Sequence, residues 1–308
     1  MKSKQPDIQC IDLNFLGKIG AIAVYLIRYS QGGILIETGP GSTINNLISG
    51  IRQQGLQLNE ISDIFLTHIH LDHAGAAGWL SRQGIKVHVH PKGALHLTEP
   101  TKLLSSAKRI YGDNMEPLWG EFLPVVPDRL SILHDQEVTQ IGDIQILSVE
   151  TPGHADHHFV YFCEDTCFTG DIGGVRLAHS DHIFLPTPPP EFHLEKWKNS
   201  IRKIAKFGAS RIAPTHFGIY HNPQAHFQAI IKYLDDLDRW LEVTMGSTEK
   251  DELPKKFSHW LIARYKAENV NAQLMLDYET VNPAFMSFAG LQRYWDKYRN
   301  DTHPTVNE

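Results

Sequence analysis

Thr67-His68-Ile69-His70-Leu71-Asp72-His73-Ala74-Gly75 sets three imidazoles and one carboxylate within six residues. A short apolar series, Ile61, Ile64, Phe65 and Leu66, runs straight into it and reads as a buried strand. Ala74-Gly75-Ala76-Ala77-Gly78 follows it and reads as a turn into a closely packed helix. Ligand-type side chains therefore fall where a strand hands over to a helix. Imidazole and carboxylate at this spacing suit a borderline cation such as zinc.

Towards the N-terminus, Ile8 to Ile11, Ala21 to Ile27 and Ile34 to Ile36 form apolar runs, and Gly32-Gly33 between the last two predicts a hairpin opening a sheet. A helix is expected over about 43–55, with Thr43 or Ser42 as its N-cap. Towards the C-terminus, the helix after the His-rich stretch ends near Gly84, and Lys86 to His90 is the next strand. Residues 91–130 read as a helix from Ala94 to Ile110 and then irregular chain broken by Pro117, Pro124 and Pro127. This is a substrate-shaping insertion over the end of the sheet. Strands resume at about 131–134, 144–150, 157–163 and 166–169, a helix covers 193–207, and Arg211 to Pro214 is a last strand. Beyond His221 the character turns helical, over 223–246, 250–267 and 281–299. The first of these carries Phe227, Ile230, Ile231, Leu234, Leu237 and Leu241 at helical spacing, an amphipathic face for packing on the body, with a homodimer face or a lid as the other uses. Two passes of mostly antiparallel strands, 8–90 and 131–220, predict two sheets packed face to face with helices outside.

Three distant residues match the opening stretch in chemistry, and each sits beside Gly or Pro at the end of an apolar strand: His154 in Thr151-Pro152-Gly153-His154, Asp171 in Thr169-Gly170-Asp171, and His216 in Pro214-Thr215-His216. Gly and Pro allow the sharp turns that aim a side chain outward. Together with His68, His70, Asp72 and His73 they make seven ligands, enough for two ions once a carboxylate and a hydroxide are shared.

This order of motifs resembles the metallo-β-lactamase-fold hydrolases, in their glyoxalase-II-like branch, over roughly residues 8–220. The resemblance implies an α+β fold, a four-layer αββα sandwich, here with a C-terminal helical extension. It divides the chain into a catalytic region, 1–221, with the insertion at 91–130, and an extension, 222–308. It also implies that His68, His70 and His154 hold one metal, that Asp72, His73 and His216 hold a second, and that Asp171 bridges them. The cofactor is then two Zn2+, with iron or manganese as alternatives. The expected activity is hydrolysis of a thioester, ester or lactone of a small molecule by a metal-bridging hydroxide, with Asp72 as the catalytic residue that orients it. The rival within the fold is a sulfur (persulfide) dioxygenase, with one iron on His68, His154 and Asp171.

Departures from the family pattern narrow the reading. Glu37-Thr38-Gly39 stands where many relatives have Asp-Thr-Gly, and Glu37 is expected to accept a hydrogen bond from a ligand imidazole. Asp171 and not Cys occupies the bridging position, which counts against a true β-lactamase, and Gly174 stands where lactone-cleaving relatives place Tyr. The glutathione-binding Cys-Gly-Arg/Lys signature is missing after Asp171. His157, His158, His182, Phe184 and Pro188-Pro189-Pro190 are expected around the pocket. Lys108 and Arg109 read either as carboxylate readers or as a solvated helix face.

The 308 residues can bury a sizeable core, and a net charge of −6 argues against nucleic acid as the main partner. No apolar stretch reaches membrane-span length, and the polar start, Met1 to Asp7, has no apolar run behind it that would read as a signal peptide. Cys10, Cys163 and Cys167 are too few and odd for a disulfide framework and read as reduced thiols, from which a cytoplasmic location is expected.

Overall fold

The computed structural model describes residues 7–246 and 249–299; the N-terminal segment 1–6 and the end of the expected extension, 300–308, lie outside the described residues. The first sheet has six strands in chain order: β1 (Asp7–Asp12), β2 (Ala23–Tyr29), β3 (Gly32–Ile36), β4 (Ile61–Phe65), β5 (Lys86–Val89) and β6 (Leu130–Ile132). The second has five, in the order β11-β10-β9-β8-β7, built from β7 (Val138–Ile141), β8 (Ile144–Glu150), β9 (Phe159–Cys163), β10 (Thr166–Phe168) and β11 (Arg211–Ala213).

The strands are more mixed than expected. β1, β2 and β3 pair antiparallel, but β3 to β6 run parallel, as do β10 and β11. The cause is visible in the connections. Helix α1 (Ile44–Gln53) joins β3 to β4, and α2 (Leu71–Ala74) with α3 (Ala77–Arg82) joins β4 to β5. Three helices, α4 (Pro91–Thr98), α5 (Thr101–Tyr111) and α6 (Met115–Trp119), join β5 to β6, and α7 (Leu194–Ala205) joins β10 to β11. A strand–helix–strand path returns the chain in the same direction. The boundary between the passes also moves, because β6 completes the first sheet, and the short strand β7 was not foreseen. Thr43 precedes α1 but makes no side-chain cap; its hydroxyl donates to the Pro40 carbonyl, 3.0 Å away.

Alternation along the strands builds the layers. In β2, Ala23, Tyr25 and Ile27 point between the sheets, where Phe159, Tyr161 and Cys163 of β9 meet them. The intervening Val24 and Leu26 face outward onto Leu47 and Ile51 of α1, and Val160 and Phe162 face outward onto the side of Trp197 and Ile201 of α7. Both faces of both sheets are thus apolar, and each must be covered. The result is helix, sheet, sheet, helix. Cys163 and Cys167 fall on opposite faces of their hairpin, and all three thiols are free.

Four helices follow: α8 (Pro223–Thr244), α9 (Leu253–Ala267), α10 (Ala272–Val281) and α11 (Ala284–Tyr298). Phe227, Ile230, Leu234, Leu237 and Leu241 of α8 are buried in one core with α7 and the outer face of the second sheet, and Tyr278, Leu291 and Trp295 belong to the same core. The apolar stripe of α8 is therefore a packing face. Helix α10 was not foreseen. Asn271 caps it by accepting from the Leu274 amide, 2.9 Å away, and Pro283 separates it from α11. Among the described residues no helix is long and apolar enough to cross a membrane.

Candidate metal centre

Strand ends place the seven ligand-type residues. After β4 the chain bends at Thr67, reaches His70 with extended backbone and turns into α2, whose first turn is closed by the His73 amide on the His70 carbonyl, 3.0 Å away. Gly153 stands at φ +146° against α7, where a Cβ would come 2.4 Å from the Trp197 Cα; this close seat sets the turn that presents His154. Gly170, at φ +49°, does the same for Asp171, since a Cβ there would meet Thr67 Oγ1 at 2.6 Å and His158 Nε2 at 2.7 Å. Both positions need glycine for conformation and for room.

The structure brings all seven together in two sets, His68, His70, His154 and Asp171 in one, Asp72, His73 and His216 in the other. His68 Nε2 and His154 Nε2 lie 2.9 and 3.0 Å from His70 Nδ1. Asp171 Oδ2 lies 3.3 Å from His154 Nε2 and 4.0 Å from His68 Nε2, while its other oxygen lies 3.2 Å from His73 Nε2 and 3.5 Å from His216 Nε2. Asp72 Oδ2 stands 3.6 Å from His73 Nε2 and 3.4 Å from His216 Nε2. Donor atoms about 2.0–2.1 Å from one zinc at tetrahedral angles are roughly 3.3 Å apart. Apart from the 4.0 Å between His68 and Asp171, these separations lie within a few tenths of an ångström of that figure. Asp171 Oδ1 and His73 Nε2 are also buried with no hydrogen-bond partner, a state that is costly unless something else satisfies them.

The opposite ring nitrogens are tethered. His154 Nδ1 bonds the Pro186 carbonyl at 2.9 Å, and His216 Nδ1 the Ala21 carbonyl at 2.8 Å. His73 Nδ1 donates to Glu37 Oε1 at 2.9 Å, and His68 Nδ1 bonds Thr67 Oγ1 at 3.0 Å. Thr67 passes its own hydroxyl proton to Glu37 Oε1, which also accepts from Thr215 Oγ1 at 3.1 Å; Oε2 accepts from the Thr67 amide at 3.2 Å. Glu37 is fully buried at φ 70°. It therefore reaches both sets, His73 directly and His68 through Thr67, and its extra methylene is absorbed in a left-handed backbone position. Such tethers fix which nitrogen faces a metal.

Electrostatics agree with a site built for cations. Burial alone pulls His73 down, but Asp171, Asp72 and Glu37 outweigh it and hold the imidazole well above its ordinary value. Burial pushes Asp171 up, yet His73, His154 and His216 hold it well below the carboxylate range. Asp72 is brought to about 2, burial being overcome by His73 and His216. Burial, with its histidine neighbours adding to it, lowers His68 strongly, and burial takes His154 to about 4. His68, His70 and His154 are thus neutral beside ionised Asp171, the protonation states that bind a divalent ion. His73 and His216, both raised by the carboxylates, instead give up a proton when a cation takes its place between them and Asp72.

A cavity of about 280 Å³ opens on the cluster. His157 and Pro188-Pro189-Pro190 line it as expected. His158 does not: it is buried behind the site and bonds Thr151 Oγ1 at 2.9 Å. Nor do His182, 2.6 Å from Glu268 Oε2, and Phe184, a core residue beside Tyr233. Lys108 and Arg109 lie on the solvent side of α5 and do not line this cavity. Lining residues that were not foreseen include Leu103, Ile110 and Tyr111 of α5, Trp119 of α6, and Val281 and Met286 at the α10–α11 turn. The spacing of Leu103, Ala107 and Ile110 was the available signal for the first of these.

The family model for the metallo-beta-lactamase superfamily matches residues 17–216. The metallo-beta-lactamase fold-containing protein ST1585 of Sulfurisphaera tokodaii is 24% identical over 242 residues, covering 76% of this chain and 86% of that one. The crystal structure of ST1585 aligns at a TM-score of 0.62 with 22% identity, over 73% of this chain and 85% of that chain. A hydroxyacylglutathione hydrolase of Tolumonas auensis is 26% identical over 216 residues, 67% of this chain and 65% of its own length. An atrochrysone carboxyl ACP thioesterase of Aspergillus fumigatus is 24% identical over 231 residues, 74% of this chain and 61% of its own length. With a family model spanning most of the chain and a His/Asp cluster at the strand ends where that fold gathers its donors, this chain belongs to the metallo-beta-lactamase superfamily.

Proposed function

We propose that this chain is a dinuclear metal-dependent hydrolase that cleaves a thioester, ester or lactone of a small molecule. One observation carries the reading: the two oxygens of Asp171 face different donor sets, Oδ2 towards His68 and His154 and Oδ1 towards His73 and His216. Two Zn2+ would be held by His68, His70 and His154 on one side and by Asp72, His73 and His216 on the other, with Asp171 between them; iron or manganese accepts the same donors. When bound, such ions supply Lewis acidity and a water acidified to about neutral pH.

The chain's own residues do the rest. Asp72 is more open to the cavity than Asp171, with its side chain 20% exposed against 5%. Held at about 2, its carboxylate is a weak proton acceptor, so its part is to ligate and to orient the attacking water by hydrogen bonding. Glu37 and the backbone carbonyls of Ala21 and Pro186 keep the imidazoles in register. The α5 and α10–α11 elements cover the cluster and limit water around the reacting carbonyl. Similarity to a protein named as a thioesterase and to a hydroxyacylglutathione hydrolase supports carboxyl-type substrates. Arg176 bonds the Ser180 carbonyl at 2.9 Å and covers the Tyr220 ring, and is not among the residues that line the cavity.

The test is metal analysis coupled to a panel of thioesters, lactones, aryl esters and phosphodiesters. The expected result is two metals per chain, turnover of a carboxyl substrate, and a loss on the order of a hundredfold or more in Asp72→Ala. One iron with oxygen uptake on a persulfide, or full hydrolysis by Asp72→Ala, would overturn the reading.

A further inference from the structure

The floor of the cavity carries the donor cluster, but its walls are apolar. Leu103, Ala107 and Ile110 present one face of α5 to it, and Tyr111 and Trp119 continue that wall. Val281, Pro283 and Met286 form the opposite side. These two elements, far apart in the chain, meet where the Tyr111 hydroxyl donates to Met286 Sδ, 3.5 Å away. Charged side chains on the lining outside the cluster are Lys102, which is exposed to solvent, and Glu191, which faces His157 at 3.4 Å. Asn282 Oδ1 accepts from Ser287 Oγ at 3.4 Å, Asn282 Nδ2 and Trp119 Nε1 are buried without a hydrogen-bond partner, and Ser106 and His96 also reach the lining. The wall between α5 and the α10–α11 turn is thus mainly apolar, with a few uncharged hydrogen-bonding groups and, apart from exposed Lys102, no charge.

Size adds a second constraint. An apolar cavity of about 150 Å³ holds benzene. The present one, about 280 Å³, is a little under twice that, and the part nearest the cluster must take the reacting carbonyl.

We infer that the acyl half of the substrate is an apolar chain or ring of about six to ten carbons, seated between α5 and the α10–α11 turn. Short or charged acyl groups are poor substrates, because they leave this wall uncovered or bring a charge against it without a partner. The inference rests on the carboxyl-hydrolase reading above and goes beyond it by naming the acyl group.

The experiment measures kcat/KM of the metal-loaded enzyme on N-acetylcysteamine thioesters from acetyl to dodecanoyl, with lactoyl and succinyl as polar controls. Calorimetry of octanoate and butyrate binding to the same enzyme gives a readout independent of turnover. Expected is a rise of up to about fourfold per methylene that levels near eight to ten carbons, with lactoyl and succinyl below hexanoyl. Ile110→Asp, at a half-buried position that tolerates a polar group, is expected to flatten the slope. Octanoate should bind at least tenfold tighter than butyrate. A flat or falling chain-length profile, or a preference for lactoyl or succinyl, would overturn the inference while leaving the hydrolase reading intact. If no thioester or ester is cleaved the hydrolase reading fails. Calorimetry then decides the chamber alone: tighter octanoate supports it, and equal affinity overturns it.

Discussion

Replacing Glu37 by Gln tests how far one buried carboxylate holds the centre together. Oε1 receives protons from His73 Nδ1, Thr67 Oγ1 and Thr215 Oγ1, and Oε2 from the Thr67 amide. Glutamine keeps one oxygen. Its better orientation leaves that oxygen on the three donors and turns the amide nitrogen onto the Thr67 N–H, donor against donor at the 3.2 Å now occupied by a hydrogen bond. One charge-assisted bond is lost outright, worth about 1.5–3 kcal/mol, and three others weaken to neutral bonds of roughly half the strength. The backbone of residue 37 stays at φ 70°, a strain of about 1 kcal/mol that the four bonds offset. Unfolding of the metal-free protein in urea should therefore show a loss of about 3 kcal/mol. Because Glu37 reaches His73 directly and His68 through Thr67, the affinity of both donor sets should fall together, by about 10–100-fold. Competition with a fluorescent zinc chelator reads both affinities. A well-folded Glu37→Gln protein whose two zinc affinities stay within twofold of the parent would refute this account. Loss confined to the His73 side would refute the part assigned to Thr67.

Two further outcomes follow from packing and protonation. His226 is buried with Nε2 donating to the Gly173 carbonyl at 2.7 Å, and burial brings its imidazole down to about 4, the Gly173 bond only partly opposing this. The unfolded chain takes up that proton near pH 6.5 and the folded one only near 4, so this stability is present above pH 6.5 and is lost as the pH falls towards 4. Between pH 7.5 and 4.5 the metal-free protein should lose about 2–3 kcal/mol more than His226→Gln, which keeps the donor; equal losses would contradict the assignment. In α11, a Cβ at Gly290 would stand 1.9 Å from the Thr187 carbonyl oxygen. Gly to Ala within a helix ordinarily gains about 1 kcal/mol, but overpacking costs about 1–3 kcal/mol. Gly290→Ala should therefore be less stable in urea and raise KM by displacing the adjoining proline segment; a more stable variant with unchanged KM would sink this reading.

The donor cluster was legible because its chemistry is local. Four ligand-type residues share one stretch at the end of an apolar run, and the three distant ones each lie next to or one residue from Gly or Pro at a strand end, so type, turn and strand agree within a few residues of chain. Strand direction was legible too, in the wrong place: apolar alternation says nothing about parallel pairing, but the helices between β3, β4 and β5 do. The pocket wall was not legible for a different reason. Leu103, Ala107 and Ile110 form an apolar stripe that reads equally as core packing, and only contact with the α10–α11 turn makes it a cavity wall. Lys108 and Arg109, one and two residues past Ala107, swing about 100° and 200° away to the solvent side.

This division has a consequence for specificity. The cluster is carried by strand ends and short turns of the two sheets, held by Glu37, Ala21 and Pro186. The acyl wall comes largely from α5, α6 and the α10–α11 turn, linked to the cluster's supports where Thr187, next to the Pro186 tether, donates to the Ser287 carbonyl of α11 at 2.9 Å. Wall residues away from that link, on α5 and α6, can therefore change without moving a donor atom. Under the proposed reading, similarity to a hydroxyacylglutathione hydrolase and to an ACP thioesterase bears on the bond cleaved, and the choice of acyl group falls to side chains such as Ile110 and Met286. Exchanging those for larger apolar residues should shorten the preferred acyl chain while zinc affinity holds, and a simultaneous fall in both would show that wall and cluster are one unit after all.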